Sequence, residues 1–166
     1  PEEVADLQVP DESKVGYITQ TTLSMDDTAE IISALKKRYP EIQGPAKDDI
    51  CYATQNRQNA VKVLSKEVDL VLVVGAQNSS NSVRLLEVAQ ATGAAARRIE
   101  SATELDPEWL EGVKNIGITA GASAPEDIVQ GIVSGLQNMY SSSNVRNLEL
   151  IKEDVTFALP SVLRNA

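Results

Sequence analysis

Short apolar runs alternate with amphipathic segments along the chain, and this alternation predicts its secondary structure. The clearest run is Leu70–Val74 (LVLVV), which is apolar at every position and rich in β-branched residues. That pattern is typical of a central strand of a parallel sheet, because such a strand is buried on both faces. Shorter runs predict further strands over residues 15–19, 95–99 and 115–119.

Helical periodicity separates these strands. The predicted helices cover residues 24–39, 54–67, 80–91 and 125–140, and a shorter helical turn over residues 103–112 carries Trp109. In a chain of this kind the strands are parallel and are joined by right-handed crossovers. The predicted fold class is therefore α/β, with a parallel sheet.

Local signals mark the ends of the helices. Ser24 and Thr54 are predicted N-caps, Pro125 is predicted at the first helical position, and Gly93 is predicted to follow the end of the third helix. The first helix is expected to bury three apolar side chains at helical spacing, namely Ile31, Ile32 and Leu35. Two glycines in the last helix predict close packing against the sheet, Gly131 and Gly135.

The two ends of the chain have less regular patterns. Residues 1–14 are acidic and are predicted to form a loop, and residues 141–144 (SSSN) form a link. Residues 148–152 and 155–159 are predicted to be a terminal pair of strands.

Composition restricts the possible functions. The chain has 166 residues, of which 42% are hydrophobic and 4% aromatic, so its core is aliphatic. A net charge of −9 with few clustered cations argues against nucleic-acid binding. No apolar run approaches the ~20 residues of a membrane span, and the acidic N-terminal sequence is unlike a signal peptide. A cytoplasmic protein without membrane or nucleic-acid partners is expected.

The absence of histidine excludes several kinds of chemistry. Without histidine the chain itself lacks the residues for Ser-His-Asp or Cys-His nucleophile systems and for ordinary zinc sites. The single cysteine, Cys51, cannot form an internal disulfide. Any chemistry depends on hydroxyls, amides, carboxylates, one thiol, or groups supplied from elsewhere.

Polar, uncharged loops precede the predicted helices. They are residues 19–24 (TQTTLS), 51–54 (CYAT), 78–82 (NSSNS) and 119–123 (TAGAS). Loops after parallel strands meet at one edge of the sheet, where helix N-termini present N–H groups and a partial positive charge. The residues alone leave two interpretations open: helix capping, or binding of a small anion such as phosphate or diphosphate. NSSNS contains more hydrogen-bonding groups than one cap uses.

The role of Cys51 is also open on sequence alone. A lone cysteine is most often a small buried apolar residue. Its position among the hydroxyl-bearing loops favours a ligand, and less so a nucleophile, because no histidine is present to activate it. As a metal ligand it would be one of several, since iron–sulfur clusters require further thiolates.

Four segments together resemble the LytB-type 4-hydroxy-3-methylbut-2-enyl diphosphate reductases. They are TQTTLSMDDT, DDICYATQNRQNAV, VVGAQNSSNSVRL and ITAGASAPEDIV, in this order along the chain. The resemblance implies an oxidoreductase of the non-mevalonate isoprenoid pathway that reduces an allylic diphosphate to isopentenyl and dimethylallyl diphosphates. It also implies a [4Fe–4S] or [3Fe–4S] cluster, a ferredoxin- or flavodoxin-type electron donor, and three α/β lobes in a trefoil-like arrangement.

The resemblance assigns roles to individual residues. Cys51 matches a cluster cysteine, and Thr21 matches a threonine near the substrate hydroxyl. The residues that match diphosphate-binding positions are Ser79, Ser80, Asn81 and Ser123, and Thr22 and Thr54 match neighbouring positions of the pocket.

The resemblance covers only the C-terminal half of that family. It implies that residues 1–47 end a second lobe, that residues 48–140 form a third lobe, and that residues 141–166 form a tail. The other two cluster cysteines, the histidines and a proton-supplying glutamate lie upstream in the family. The hypothesis is that this chain alone neither holds a stable cluster nor turns over substrate, and that its partner is the N-terminal half. A cytoplasmic location is expected, or the plastid stroma in a plastid-bearing source.

Two other interpretations compete with the reductase. One is an autonomous α/β module that binds a phosphorylated metabolite without chemistry. The other is a structural lobe, in which the hydroxyls only cap helices and Cys51 belongs to the core.

Overall fold

The computed structural model describes residues 1–45, 49–140 and 143–151, and within them the strands form one parallel sheet. The central strand is β1 (Leu70–Val74), flanked by β2 (Ala95–Ile99) and β3 (Ile116–Ala120). Leu70 is aligned with Ala95 on one side and with Ile116 on the other. The predicted α/β class and the central position of β1 are confirmed.

Within the described residues four α-helices accompany the sheet, and three of them cover its faces. They are α1 (Met25–Arg38), α2 (Tyr52–Leu64), α3 (Ser80–Ala91) and α4 (Glu126–Met139). On one face Val71 and Val73 pack with apolar residues of α2 and α3. On the other face the alternate β1 residues pack against α4 and two 3₁₀ turns, Ala102–Glu104 and Pro107–Leu110. Because β1 is buried on both faces, every one of its positions is apolar.

Two of the four predicted signals for helix ends are confirmed, and two are wrong. The Ser24 hydroxyl accepts a hydrogen bond from Asp27 N–H, as a cap of α1 should, and Gly93 follows α3 with a φ of 86°. Pro125 is the residue before α4 and not its first helical residue. The cap of α2 is Cys51, so the prediction of Thr54 was wrong: Cys51 has a non-helical ψ of 135° and the helix begins directly after it.

The predicted strand over residues 15–19 is wrong within the described residues. This segment is extended but forms only one parallel bridge, between Gly16 and Gln43. Tyr17 N–H donates to Gln43 O, and Gln43 N–H donates to Val15 O. A strand requires a ladder of such bonds with a neighbouring segment, and among the described residues this segment pairs with Gln43 alone.

Two predictions about buried faces also need correction. Ile31 is exposed, and Ile32 and Leu35 are only half-buried, because α1 lies apart from the sheet. A Cβ on Gly131 would meet nothing within 4 Å, whereas a Cβ on Gly135 would lie 3.0 Å from Leu105 Cδ1. The close approach at α4 is therefore to the segment after β2, and not to the sheet.

The remaining predictions concern the turn at Trp109, the C-terminal segment, the domain division and membrane spans. Residues 107–110 form the 3₁₀ turn that carries Trp109, as expected in outline. Residues 148–151 form no strand, while residues 152 and 155–159 lie outside the described residues. The domain division after residue 47 stays a prediction. No helix in the described ranges is both long and apolar enough to cross a bilayer.

Asp69 joins the starts of β1 and β3. Its carboxylate accepts hydrogen bonds from Lys114 N–H at 3.0 Å and from Asn115 N–H at 2.8 Å. The Asn115 bond, followed by the Lys114 bond, holds the pKa of this carboxyl below its ordinary value. The native state therefore favours the charged carboxylate more than the unfolded state does.

We expect this carboxylate to make stability pH-dependent. Its stabilising contribution is fully present above about pH 4 and is lost as the pH falls through the lowered native pKa. Thermal unfolding of wild type and Asp69→Asn between pH 2 and pH 7 tests this. The amide retains an acceptor oxygen but does not titrate, so its acid slope should be shallower. Equal slopes for the two proteins would contradict the prediction.

Candidate functional site

The N-terminus of α3 carries three of the predicted diphosphate residues. Ser79 is its cap: the Ser79 hydroxyl oxygen accepts from Ser82 N–H at 3.3 Å and from the Ser82 hydroxyl at 3.0 Å. Ser80 is exposed, and Asn81 is buried. Capping thus uses the acceptor lone pairs of Ser79 and leaves its hydroxyl hydrogen free, and Ser80 is exposed at the positive end of the helix.

Asn81 is the unusual member of this group. Its side chain is 7% exposed, and neither its Nδ2 nor its Oδ1 has a hydrogen-bond partner in the described part of the chain. A buried amide without partners costs roughly 1–3 kcal/mol per unsatisfied group, and such groups are rare in native proteins. A ligand with both acceptor and donor capacity nearby would satisfy it.

Ser82 lies deeper than its neighbours and packs closely against the exits of two strands. It is 0% exposed, and its hydroxyl oxygen lies against Gly75 after β1 and Gly121 after β3. A Cβ at Gly75 would lie 2.0 Å from Ser82 Oγ, and one at Gly121 would lie 2.2 Å from it. Only glycine leaves this space, so both strand exits are shaped around one serine.

Hydrogen bonds connect the loop containing Thr21 to the segment containing Cys51. Cys51 N–H donates to Thr21 O at 3.2 Å, and Thr19 N–H donates to an Asp49 carboxylate oxygen at 2.8 Å. The side chains of Thr21 and Cys51 are both exposed. The structure therefore brings the predicted catalytic threonine and the predicted cluster cysteine to neighbouring backbone positions.

Gln58 fastens the same loop to α2 from inside. Its Nε2 donates to Leu23 O at 2.7 Å, and its Oε1 accepts from Met25 N–H at 3.0 Å. The side chain is 1% exposed. One amide thus satisfies a loop carbonyl and a free N–H of the first turn of α1, across more than 30 residues of sequence.

A cleft of about 350 Å³ lies between the first and third of the predicted loops. Thr22 and Ser80 line it together, with Arg84 of α3. The Arg84 guanidinium pairs with Glu87 at 2.6 Å and with Asp27 at 3.4 Å. Alongside the neutral donors of the sequence prediction, the cleft therefore also holds a cation, which two carboxylates largely neutralise.

The remaining two candidates stand apart from this cleft. Thr54 is 4% exposed inside the first turn of α2, and its N–H donates to Cys51 O at 2.8 Å. Ser123 is exposed in the loop after β3, and its hydroxyl forms no hydrogen bond to another described residue. That loop is fastened to β1, because Gly121 N–H donates to Val74 O at 2.8 Å.

Cys51 is available as a metal ligand, but the sequence contains no second cysteine and no histidine to share the metal with it. Cys51 is free and exposed, and its side chain takes no part in capping α2. Across the described residues no cluster of three or more His, Cys, Asp or Glu side chains could hold a metal ion. This chain therefore fits one ligand of a cluster and not a complete set.

Sequence reasoning missed Gln58 and Ser82, and a signal existed for the first. The buried positions of α2 are 54, 58 and 61, and with the buried C-cap at 65 they fall on one helical stripe on which three of the four residues are polar. Polar residues on a buried stripe indicate partners elsewhere in the chain. For Ser82 no local signal distinguishes it from the other members of NSSNS.

Known proteins similar to this chain share one family. The family model described as "LytB protein" matches residues 1–137. A protein of Azoarcus sp. (strain BH72) called 4-hydroxy-3-methylbut-2-enyl diphosphate reductase is 53% identical over 164 residues, covering 99% of this chain and 52% of that protein. A protein of the same name from Saccharophagus degradans is 54% identical over 162 residues, covering 98% and 52%.

Solved structures give the same result. The E-1-hydroxy-2-methyl-but-2-enyl-4-diphosphate reductase of Plasmodium falciparum is similar with a TM-score of 0.78 and 36% identity, over 90% of this chain and 50% of that one. This chain spans about half the length of the relatives that it matches. Since the family model covers most of its residues, the chain belongs to the LytB family.

Proposed function

We propose that this chain is the diphosphate-binding, single-cysteine half of a 4-hydroxy-3-methylbut-2-enyl diphosphate reductase. The names of its relatives support that activity, and their length supports the proposal that the other half of the enzyme is its partner. The observation that carries the proposal is Asn81, a buried amide with no partner in the described residues, at the positive end of α3. A diphosphate oxygen supplies an acceptor for its Nδ2.

The diphosphate is bound by neutral donors and a helix end. Ser79 and Ser80 offer hydroxyls, Asn81 offers its amide, and the first turn of α3 offers N–H groups. Ser123 adds a hydroxyl from the exit of β3. This arrangement holds a multiply charged anion without bringing many counter-charges into the site, so product release stays possible.

Thr21 and Cys51 serve the reacting end of the substrate. The reduction consumes two electrons and two protons, breaks one C–O bond, forms one C–H bond and releases water. The exposed Thr21 hydroxyl binds the substrate hydroxyl or a water beside it and passes a proton toward the leaving oxygen. Thr22 lines the adjoining cleft, and Thr54, which is buried in the first turn of α2, supports the Cys51 segment through its N–H bond to Cys51 O.

Cys51 holds the cofactor from this half of the enzyme. Its thiol is free and exposed beside Thr21, which fits a ligand to an iron–sulfur cluster of the [4Fe–4S] or [3Fe–4S] type. When bound, the cluster supplies the electrons, which it receives from a ferredoxin- or flavodoxin-type donor. The further thiolates come from the half that this chain does not match.

Calorimetry with inorganic pyrophosphate tests the proposed function. The wild-type chain should bind pyrophosphate, and Ser79→Ala should weaken binding by about tenfold or more, the effect of one hydrogen bond to a charged group. Ser134→Ala, an exposed serine of α4, is the matched control and should bind as wild type does. Absence of pyrophosphate binding by the wild type would overturn the proposal.

A second measurement separates the reductase from a module that only binds anions. In anaerobic titrations with ferrous iron and sulfide, carried out with the N-terminal half of a relative added to supply the further thiolates, iron uptake by the complex that disappears in Cys51→Ser supports the reductase. Pyrophosphate binding without any Cys51-dependent iron uptake favours the binding module instead.

A further inference from the structure

Ser82 belongs to the NSSNS segment, yet it cannot contact a ligand. Its side chain is fully buried, with its hydroxyl oxygen enclosed by Gly75 and Gly121. Its polar contact in the described residues is with Ser79: the Ser82 hydroxyl donates to Ser79 Oγ at 3.0 Å. Any effect of Ser82 on a ligand must therefore pass through its neighbour.

The Ser79 oxygen is saturated as an acceptor. A hydroxyl oxygen has two lone pairs and one hydrogen. Both lone pairs are used, one by Ser82 N–H at 3.3 Å and one by the Ser82 hydroxyl. The hydrogen of Ser79 must then point away from Ser82, toward the open side of the α3 N-terminus, where it can only donate.

We infer that Ser82 is a positioning residue that makes Ser79 an obligate hydrogen-bond donor to the bound anion. This inference rests on the proposed function, because it assumes that Ser79 contacts the diphosphate. A freely rotating hydroxyl points a lone pair at the anion in some of its orientations, and those orientations are electrostatically unfavourable. Holding the hydrogen outward before binding removes this cost.

The surroundings of Ser82 show why the orientation is stable. The side chain is wedged between the exits of β1 and β3, and at either glycine even one methyl group would overlap its oxygen. The hydroxyl therefore has little freedom to turn away from Ser79. Three segments, the two strand exits and the start of α3, together determine the direction of one O–H bond.

A double-mutant cycle with inorganic pyrophosphate as the probe tests this inference. In the full chain, Ser82→Ala should weaken pyrophosphate binding about fivefold to tenfold. In a Ser79→Ala background, the same change should alter affinity by less than about twofold, because Ser82 acts only through Ser79. In a Ser123→Ala background, the full effect of Ser82→Ala should remain.

The cycle separates this inference from a general structural role and from the proposed function. Equal losses from Ser82→Ala in the wild-type and Ser79→Ala backgrounds would overturn the inference and leave the proposed function intact. Absence of pyrophosphate binding by the wild type would overturn both. If Ser82→Ala is too unstable to assay, Ser82→Cys replaces it: a thiol is a weak donor, so wild-type affinity in that variant would contradict the inference.

Discussion

Replacing Asn81 with leucine is expected to stabilise the chain and to abolish its binding of pyrophosphate. The amide is buried and has no partner in the described residues, so the native state bears its full desolvation cost. A leucine of similar shape removes this cost, and the free energy of unfolding should rise by about 1–2 kcal/mol. Opposite effects on stability and on binding are typical of a residue that is kept for its ligand.

Chemical denaturation and calorimetry on the same samples measure the two effects. Asn138→Leu, an exposed position in α4, is the matched control for the gain in helix propensity, which is about 0.5 kcal/mol or less. A loss of stability in Asn81→Leu would show that the amide has structural partners. That result would favour the structural-lobe interpretation over any ligand-binding one.

Replacing Gln58 with leucine is expected to loosen the loop that carries Thr21 and Thr22. The change leaves Leu23 O and Met25 N–H without the amide that now satisfies both. Because these groups are partly buried, the expected loss of stability is about 1–3 kcal/mol. The amide hydrogen of Met25 should also exchange much faster, since it would lose its acceptor.

Hydrogen exchange read by NMR distinguishes this local effect from general destabilisation. Val61→Ala is the matched control, because Val61 lies on the same buried stripe of α2 but packs against the sheet. It should lower global stability without selectively exposing Met25. If Met25 exchange in Gln58→Leu accelerates no more than in Val61→Ala, then Gln58 does not hold the loop.

Local signals in the sequence were sufficient for the central part of the fold. The run Leu70–Val74 is apolar on both faces, and only a strand covered on both sides accommodates that pattern. Ser79 and Gly93 bound α3 through interactions within a few residues of the chain, so its limits could be predicted to the residue. Predictions succeeded where the deciding contacts are local.

Predictions failed where the deciding partner is distant in sequence. Residues 15–19 have strand-like composition, but a strand depends on its neighbours, and among the described residues only Gln43 pairs with this segment. The start of α2 depends on how the segment from Asp49 is fastened to Thr19, so the cap fell on Cys51 and not on Thr54. Neither the pairing of residues 15–19 nor the position of the α2 cap can be predicted from a few neighbouring residues alone.

The sequence by itself determined the α/β class, the order of the helices and strands from α2 to α4, and the residue types that follow the three strands. Hydrophobic periodicity, helix caps and terminal glycines depend on interactions between residues a few positions apart, so they can be recognised without knowing the rest of the structure. Only the tertiary structure decided which members of those loops have free hydrogen-bonding groups. Within the described residues it left Asn81 without a hydrogen-bond partner, enclosed Ser82 between two glycines, and joined Thr21 to Cys51. Burial and partner choice decide these roles, and both depend on residues that fold together from distant parts of the chain.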